Sequence, residues 1–141
     1  MAGTNQGYIL GLNLNEQKVT VLLARKGLSF QSLDCQGSQD NYILVALTTT
    51  GMLLYFRDKD WIERKVHDGF GLCVQLSHDG LLLATGGADK TVRLFTIDGL
   101  SLREAGVIKH NQLKWVWNLQ ISHDKEHIFI SIGKSTQLTI Q

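Results

Sequence analysis

Several short stretches of the chain carry residue types that do chemistry in other proteins. Ser77-His78-Asp79 holds a hydroxyl, an imidazole and a carboxylate, the three groups of a hydrolytic relay. Such a relay needs the imidazole between the other two along one proton path, and three consecutive residues of a strand or turn cannot converge in that way. The same letters return 45 residues later as Ser122-His123-Asp124, which points to a repeated turn. His123, Glu126 and His127 fit the H-x-x-E-H pattern of some zinc hydrolases, which works only where a helix carries both imidazoles to one face. Here the flanks, Leu119 to Ile121 and Ile128 to Ile130, read as strands, so a zinc hydrolase built on those three residues is only the rival reading from another class. Gly133-Lys134-Ser135-Thr136 matches the end of a phosphate-binding loop. However, Ile128 stands where that loop needs its first glycine, and strand-like Leu138 to Ile140 follow in place of a helix. Asp58, Asp60 and Glu63 fall in a polar stretch with no apolar context to raise a carboxyl pKa, and read as an exposed connection. No catalytic residue, metal ligand or cofactor is expected.

The elements that would position these residues are short and alternating. Helical periodicity is scarce, and apolar runs are separated by Gly, Asn, Asp and Ser, so the fold is predicted to be all-β. In the clearest unit Leu72, Val74 and Leu76 alternate on one face, Leu81 to Ala84 form a buried run, and Val92 and Leu94 alternate before Phe95. Between the last two runs Gly86-Gly87-Ala88-Asp89-Lys90 reads as a tight turn, its glycines supplying positive φ. Leu102 to Val107 would be the fourth strand. A shift of 45 places Trp117, Leu119 and Ile121 on Leu72, Val74 and Leu76. An earlier unit has Phe30 and Leu33, Tyr42 to Leu47, Met52 to Phe56 and Trp61 to Val66 as its strands. Gly7 to Leu14 and Val19 to Leu23 read as the last two strands of a unit before that.

Repeats of this length made of four short strands are the mark of β-propeller blades, and such rings close with roughly four to eight of them. The expected organisation is one incomplete propeller over residues 1–141: the end of a blade at 1–27, blades at 28–66 and 67–110, and a partial blade at 111–141. About two and a half to three blades do not make a ring. The chain is read as a fragment or truncated product, or as one that assembles with itself or a partner; open strand edges predict self-association.

Composition narrows the functional classes. A chain of 141 residues with 43% hydrophobic and 19% charged residues suits one globular unit. A net charge of +1, with no Lys/Arg run longer than two, leaves no footprint for nucleic acid or an anionic membrane. The two cysteines, Cys35 and Cys73, are far apart and form no CxxC, which favours a reducing compartment. With neither a leader-like start nor a long apolar run, a soluble cytoplasmic protein without membrane insertion is expected.

The repeat pattern resembles the WD-repeat family. There a His before the first strand, a Ser or Thr in the second, an Asp in the turn and a Trp ending the third form a buried hydrogen-bonded set; the matching residues here are His67, Thr85, Asp89 and Phe95. Phe95 has no ring N–H, and Leu12, Phe56 and Ile140 replace the Trp elsewhere. On this reading His67 and Asp89 form a structural network and not a catalytic dyad. Within the family, Leu82-Leu83-Ala84-Thr85, Ala88-Asp89-Lys90-Thr91, Ser101-Leu102 and Trp115-Val116-Trp117 are most similar to the small WD-repeat subunit of the TOR kinase complexes. The resemblance implies the C-terminal half of a seven-bladed, four-stranded antiparallel propeller. It also implies a TOR-type kinase as partner and Trp115 and Trp117 as contacts near its docking surface. Strand alternation sets those two indoles on one face, with Val116 on the other. Trp61, beside Asp60 and Glu63 on an outer strand, is a further partner-binding candidate.

Overall fold

The computed structural model describes residues 6–38, 41–109, 114–134 and 137–139. They form β-strands and turns, with no helix among them. The strands are β1 (Gln6–Asn13), β2 (Lys18–Lys26), β3 (Phe30–Ser38), β4 (Asn41–Thr48), β5 (Met52–Arg57), β6 (Asp60–Lys65), β7 (Gly71–Leu76), β8 (Leu82–Gly87), β9 (Thr91–Asp98), β10 (Ser101–Lys109), β11 (Trp115–Ile121), β12 (Ile128–Lys134) and β13 (Gln137–Thr139). Neighbours in sequence pair antiparallel into a two-stranded β1–β2 sheet, four-stranded β3–β6 and β7–β10 sheets, and a three-stranded β11–β13 sheet.

The sheets stack face to face, which explains why the middle strands are apolar on both sides. In β4, Ile43, Val45 and Leu47 pack with Val74, Leu76, Leu83, Phe95 and Ile97 of the next sheet. The opposite side of the same strand, Leu44 and Ala46, packs with Ile9, Leu22 and Leu23 of the first. A third layer joins Cys73, Ala84 and Val92 to Val116, Leu119 and Ile121. Each fully buried Val, Leu, Ile or Phe side chain among these stabilises by about 1.5–3 kcal/mol. Edges are closed by side chains: Ser32 Oγ accepts from the Val74 amide at 3.2 Å and Asp34 Oδ2 from the Leu76 amide at 2.7 Å, occupying the free side of β7. The Tyr55 hydroxyl donates to the Gly99 carbonyl at 2.6 Å across the same boundary.

Two details differ from the sequence expectation. The first strand of each sheet from β3 onward carries a bulge, skipping Gln31, Leu72 and Trp117 at equivalent places. The extra residue breaks alternation, so Val74 and Leu76 enter the core while Leu72 stays half-buried at the bulge. Gly86 and Gly87, expected in the turn, end strand β8, and the positive φ falls on Lys90 at 65°. The glycines serve close approach instead. A Cβ on Gly86 would lie 2.5 Å from Val116 Cγ1 and 2.7 Å from Cys73 Sγ, and one on Gly87 would lie 2.6 Å from His67 Nδ1. Apolar side chains remain on the outermost sheets: Leu10, Leu12, Val19 and Val21 on β1–β2, and Phe129 on β12.

Candidate functional site

Antiparallel pairing sends alternate connections to opposite ends of the strands, and the two ends are built differently. At the end where β7 begins, His67 is 1% exposed and links β8, the turn after it and β9. Its Nδ1 lies 2.9 Å from Asp89 Oδ1 and its Nε2 lies 2.8 Å from Thr85 Oγ1. A carboxylate only accepts, so Nδ1 carries the proton and the bare Nε2 accepts from the Thr85 hydroxyl. Thr91 Oγ1 donates to Asp89 Oδ1 at 2.8 Å, and the Asp68 amide donates to Asp89 Oδ2 at 3.2 Å. Burial, against the pull of Asp89, holds His67 below its ordinary value and keeps it neutral. For Asp89 burial opposes ionisation, yet the bond from Thr91 and the neighbouring His67 prevail and hold its carboxyl low. No buried side-chain nitrogen or oxygen of this set is left without a partner. Phe95, 1% exposed, packs in the adjoining core with the Arg64 guanidinium 5.1 Å from its ring centre. Thr91 escaped the sequence reading; its signal was a hydroxyl two residues after the turn Asp.

At the same end an aromatic row crosses from one sheet to the next. Phe70, 54% exposed, precedes β7; its ring centre lies 6.1 Å from that of Trp115, which lies 5.6 Å from that of Trp117. Both indoles are half-buried, while Val116 between them is buried in the core. The bulge turns Trp117 out of strict alternation, and its Nε1 is shielded without an acceptor among the described residues. Phe70 was missed because a single aromatic between Gly69 and Gly71 looks like loop. Trp61 stands apart from the row: it lies 4.7 Å from Phe56 and packs into the layer with Ile9, Leu44 and Leu54.

The opposite end carries the two Ser-His-Asp turns, which are the same structure twice. Ser77 Oγ donates to Asp79 Oδ1 at 2.7 Å and accepts from the Leu82 amide at 3.0 Å. Ser122 Oγ donates to Asp124 Oδ1 at 2.5 Å and accepts from the His127 amide at 3.0 Å. Each serine therefore bonds its aspartate and not its histidine. The two histidines face each other instead, His78 against His123 with ring centres 4.4 Å apart. Lys125 pairs with Asp79 across the two turns. That lysine first, and Ser77 after it, holds the Asp79 carboxyl well below the usual carboxylate range. Residues 122–127 form a turn where the zinc-hydrolase pattern needs a helix, and His127 lies against Phe129, away from His123. Donor atoms of Asp124, Glu126 and His127 approach within 4.8 Å, all exposed, as acidic groups on turns often do. Gly133 and Lys134 belong to β12 and strand β13 follows; Ser135, Thr136 and Ile140 lie outside the described residues. Cys73 is buried, which pushes its thiol up to about 12, whereas Cys35 is exposed.

No family model matches the chain, and no curated protein matches it. Solved structures do. One is the β-propeller domain of Cps50 (Swd1) from Myceliophteria thermophila, 20% identical with a TM-score of 0.61, aligned over 74% of this chain and 36% of that one. The chain thus has the all-β fold of a partial β-propeller and spans little more than a third of that relative's length. No helix among the described residues is long and apolar enough to cross a membrane.

Proposed function

We propose that the chain is a non-enzymatic WD-repeat adaptor that binds and steadies a protein kinase of the TOR type in the cytoplasm. The observation that carries this reading is the row Phe70, Trp115 and Trp117, a contiguous aromatic surface at one end of the strands. Half-buried rings with a polar surround are the usual anchors of protein interfaces. The WD-repeat assignment rests on His67, Thr85 and Asp89 bonding at the positions where that repeat places its buried set. The kinase partner rests on the resemblance of the Trp115-Val116-Trp117 region to the TOR-complex subunits. The test is recovery of a TOR-type kinase on the tagged chain. Trp115→Ala should weaken recovery and leave the circular-dichroism spectrum unchanged, whereas loss of fold would assign the indole to the core. Mass spectrometry of all retained proteins separates this partner from that of a generic scaffold.

A further inference from the structure

The net charge of +1 conceals a separation that only the strand topology makes. Lys26 closes β2, Lys65 closes β6, Lys90 sits between β8 and β9, Lys109 closes β10 and Lys114 precedes β11. All five are exposed, and the alternation of strand direction brings them to the end that carries the aromatic row. The carboxylates described at that end are Asp68 and Asp89, and Asp89 is committed to His67, Thr91 and the Asp68 amide. The opposite end carries Glu16, Asp58, Asp60, Asp98, Asp124 and Glu126 against Lys18, Arg57 and Lys59, while Asp79 and Lys125 cancel each other. Common strand direction from sheet to sheet is fixed by the bonds from Val74 to Ser32 and from Leu76 to Asp34, and by the ring pairs Phe70–Trp115 and His78–His123. The sector therefore has a basic face and an acidic face.

We infer that the basic face docks an acidic protein segment, with an apolar side chain seated on Phe70, Trp115 and Trp117 and flanking carboxylates met by Lys90 and Lys114. Lys114 adjoins Trp115 in the chain, and the turn bearing Lys90 is tied to Phe70 by the Ala88 amide bonding the Phe70 carbonyl at 2.9 Å. Cations thus flank the row on both sides. Complementary charge of this kind selects and orients a partner more than it adds affinity, and the acidic face repels the same segment. A protein segment fits better than a nucleic acid strand. The lysines stand singly at separate strand ends where a strand needs a continuous basic groove, and the rings are tilted at 46° and 56° to one another instead of offering parallel stacking planes.

This rests on the adaptor reading, deepens it, and can fail separately from it. Fluorescence anisotropy of the full chain would use a labelled peptide of glutamates flanking a Leu-Leu pair, its lysine counterpart, and a labelled oligouridylate. The glutamate peptide should bind, more weakly as salt rises from about 0.05 to 0.15 M, and the lysine peptide should not. Lys90→Glu or Lys114→Glu should weaken binding roughly tenfold and Lys114→Gln roughly threefold, while Asp58→Lys on the acidic face changes nothing. Equal losses from both faces, or tighter binding of oligouridylate than of the glutamate peptide, overturn the inference. If Lys90→Glu and Lys114→Glu still recover the kinase while Trp115→Ala does not, the adaptor reading stands and the acidic-segment inference falls. If glutamate-peptide binding follows the expected pattern but no kinase is recovered, the partner falls and the face stands.

Discussion

The β7–β10 and β11–β13 sheets agree at one end and disagree at the other. Their Ser77 and Ser122 turns make the same serine-to-aspartate and amide-to-serine bonds, down to positive φ at the matching Gly80 and Lys125. At the far end one sheet presents a closed set around His67, and the next begins with Trp115 and a bulged Trp117. A turn that recurs bond for bond does the same job in both places, namely holding a strand pair in register. The end that changes from one sheet to the next does two jobs, since His67 fastens the β7–β10 sheet there and the aromatic and basic surface collects beside it. Recognition is thereby confined to one end of the strands, while fastening is present at both.

The largest effect should come from the closed set. His67→Ala leaves the Thr85 hydroxyl and Asp89 without their buried partner and opens a cavity. The cost should be about 3 kcal/mol, read as a fall in the urea midpoint. A loss under about 1 kcal/mol would mean that the set is not the fastening of its sheet. The pH dependence has a definite sign. His67 is held below its ordinary 6.5, so the unfolded chain takes the proton first. Stability complete above about 6.5 should decline as pH falls below it, until the folded imidazole itself titrates. Asp89, held below its ordinary 3.8, contributes stability present above that value and lost as pH falls through its folded one. His67→Gln should flatten the first decline and shrink the second without abolishing it, because Thr91 and the Asp68 amide still hold Asp89 low.

A smaller effect tests whether the shared end is shared in energy as well as form. Ser77 is 1% exposed and Ser122 is half-buried. Ser77→Ala should cost about 1–2 kcal/mol and Ser122→Ala about 0.5–1, since each removes a bond to a carboxylate and one from an amide. Thermal unfolding of both, beside the exposed Ser101→Ala, would show it. If Ser122→Ala matches Ser101→Ala, the duplication is one of shape alone.

What could be read from the residues divides along the same line. The Ser-His-Asp turns spell the repeat, so strands such as Tyr42 to Leu47 and Leu102 to Val107 fell where β4 and β10 lie. His67, Thr85 and Asp89 were legible because three polar residues keep the spacing of a known set. The bulges were not: Leu72 and Trp117 sit in runs that alternate perfectly well on paper, and only the pairing of β7 with β8 and β11 with β12 reveals the extra residue. Gly86 and Gly87 looked like turn formers because the reason for them, Val116 and His67, is contributed from distant parts of the chain. Charge separation was hidden for a similar reason. Lys65, Lys90 and Lys114 are isolated in sequence and meet only because strand reversal brings them to one end.

The smallest effect concerns the link between the two shared turns. Asp79 and Lys125 pair across the sheets with side chains 36% and 38% exposed, so water screens them and the pair should contribute only about 0.2–1 kcal/mol. Asp79→Ala alone would overstate it, because Asp79 also accepts from Ser77 Oγ and the Leu81 amide. A double-mutant cycle of Asp79→Asn with Lys125→Met isolates the cross-sheet term, since asparagine keeps an acceptor for those bonds. Coupling within that range, shrinking as salt rises to about 1 M, would mark the turns as alike but separately stable, each sheet closing its own end. Coupling above about 2 kcal/mol that survives the salt would mean that the turns hold each other, and the fastening at that end would then extend across sheets instead of repeating within them.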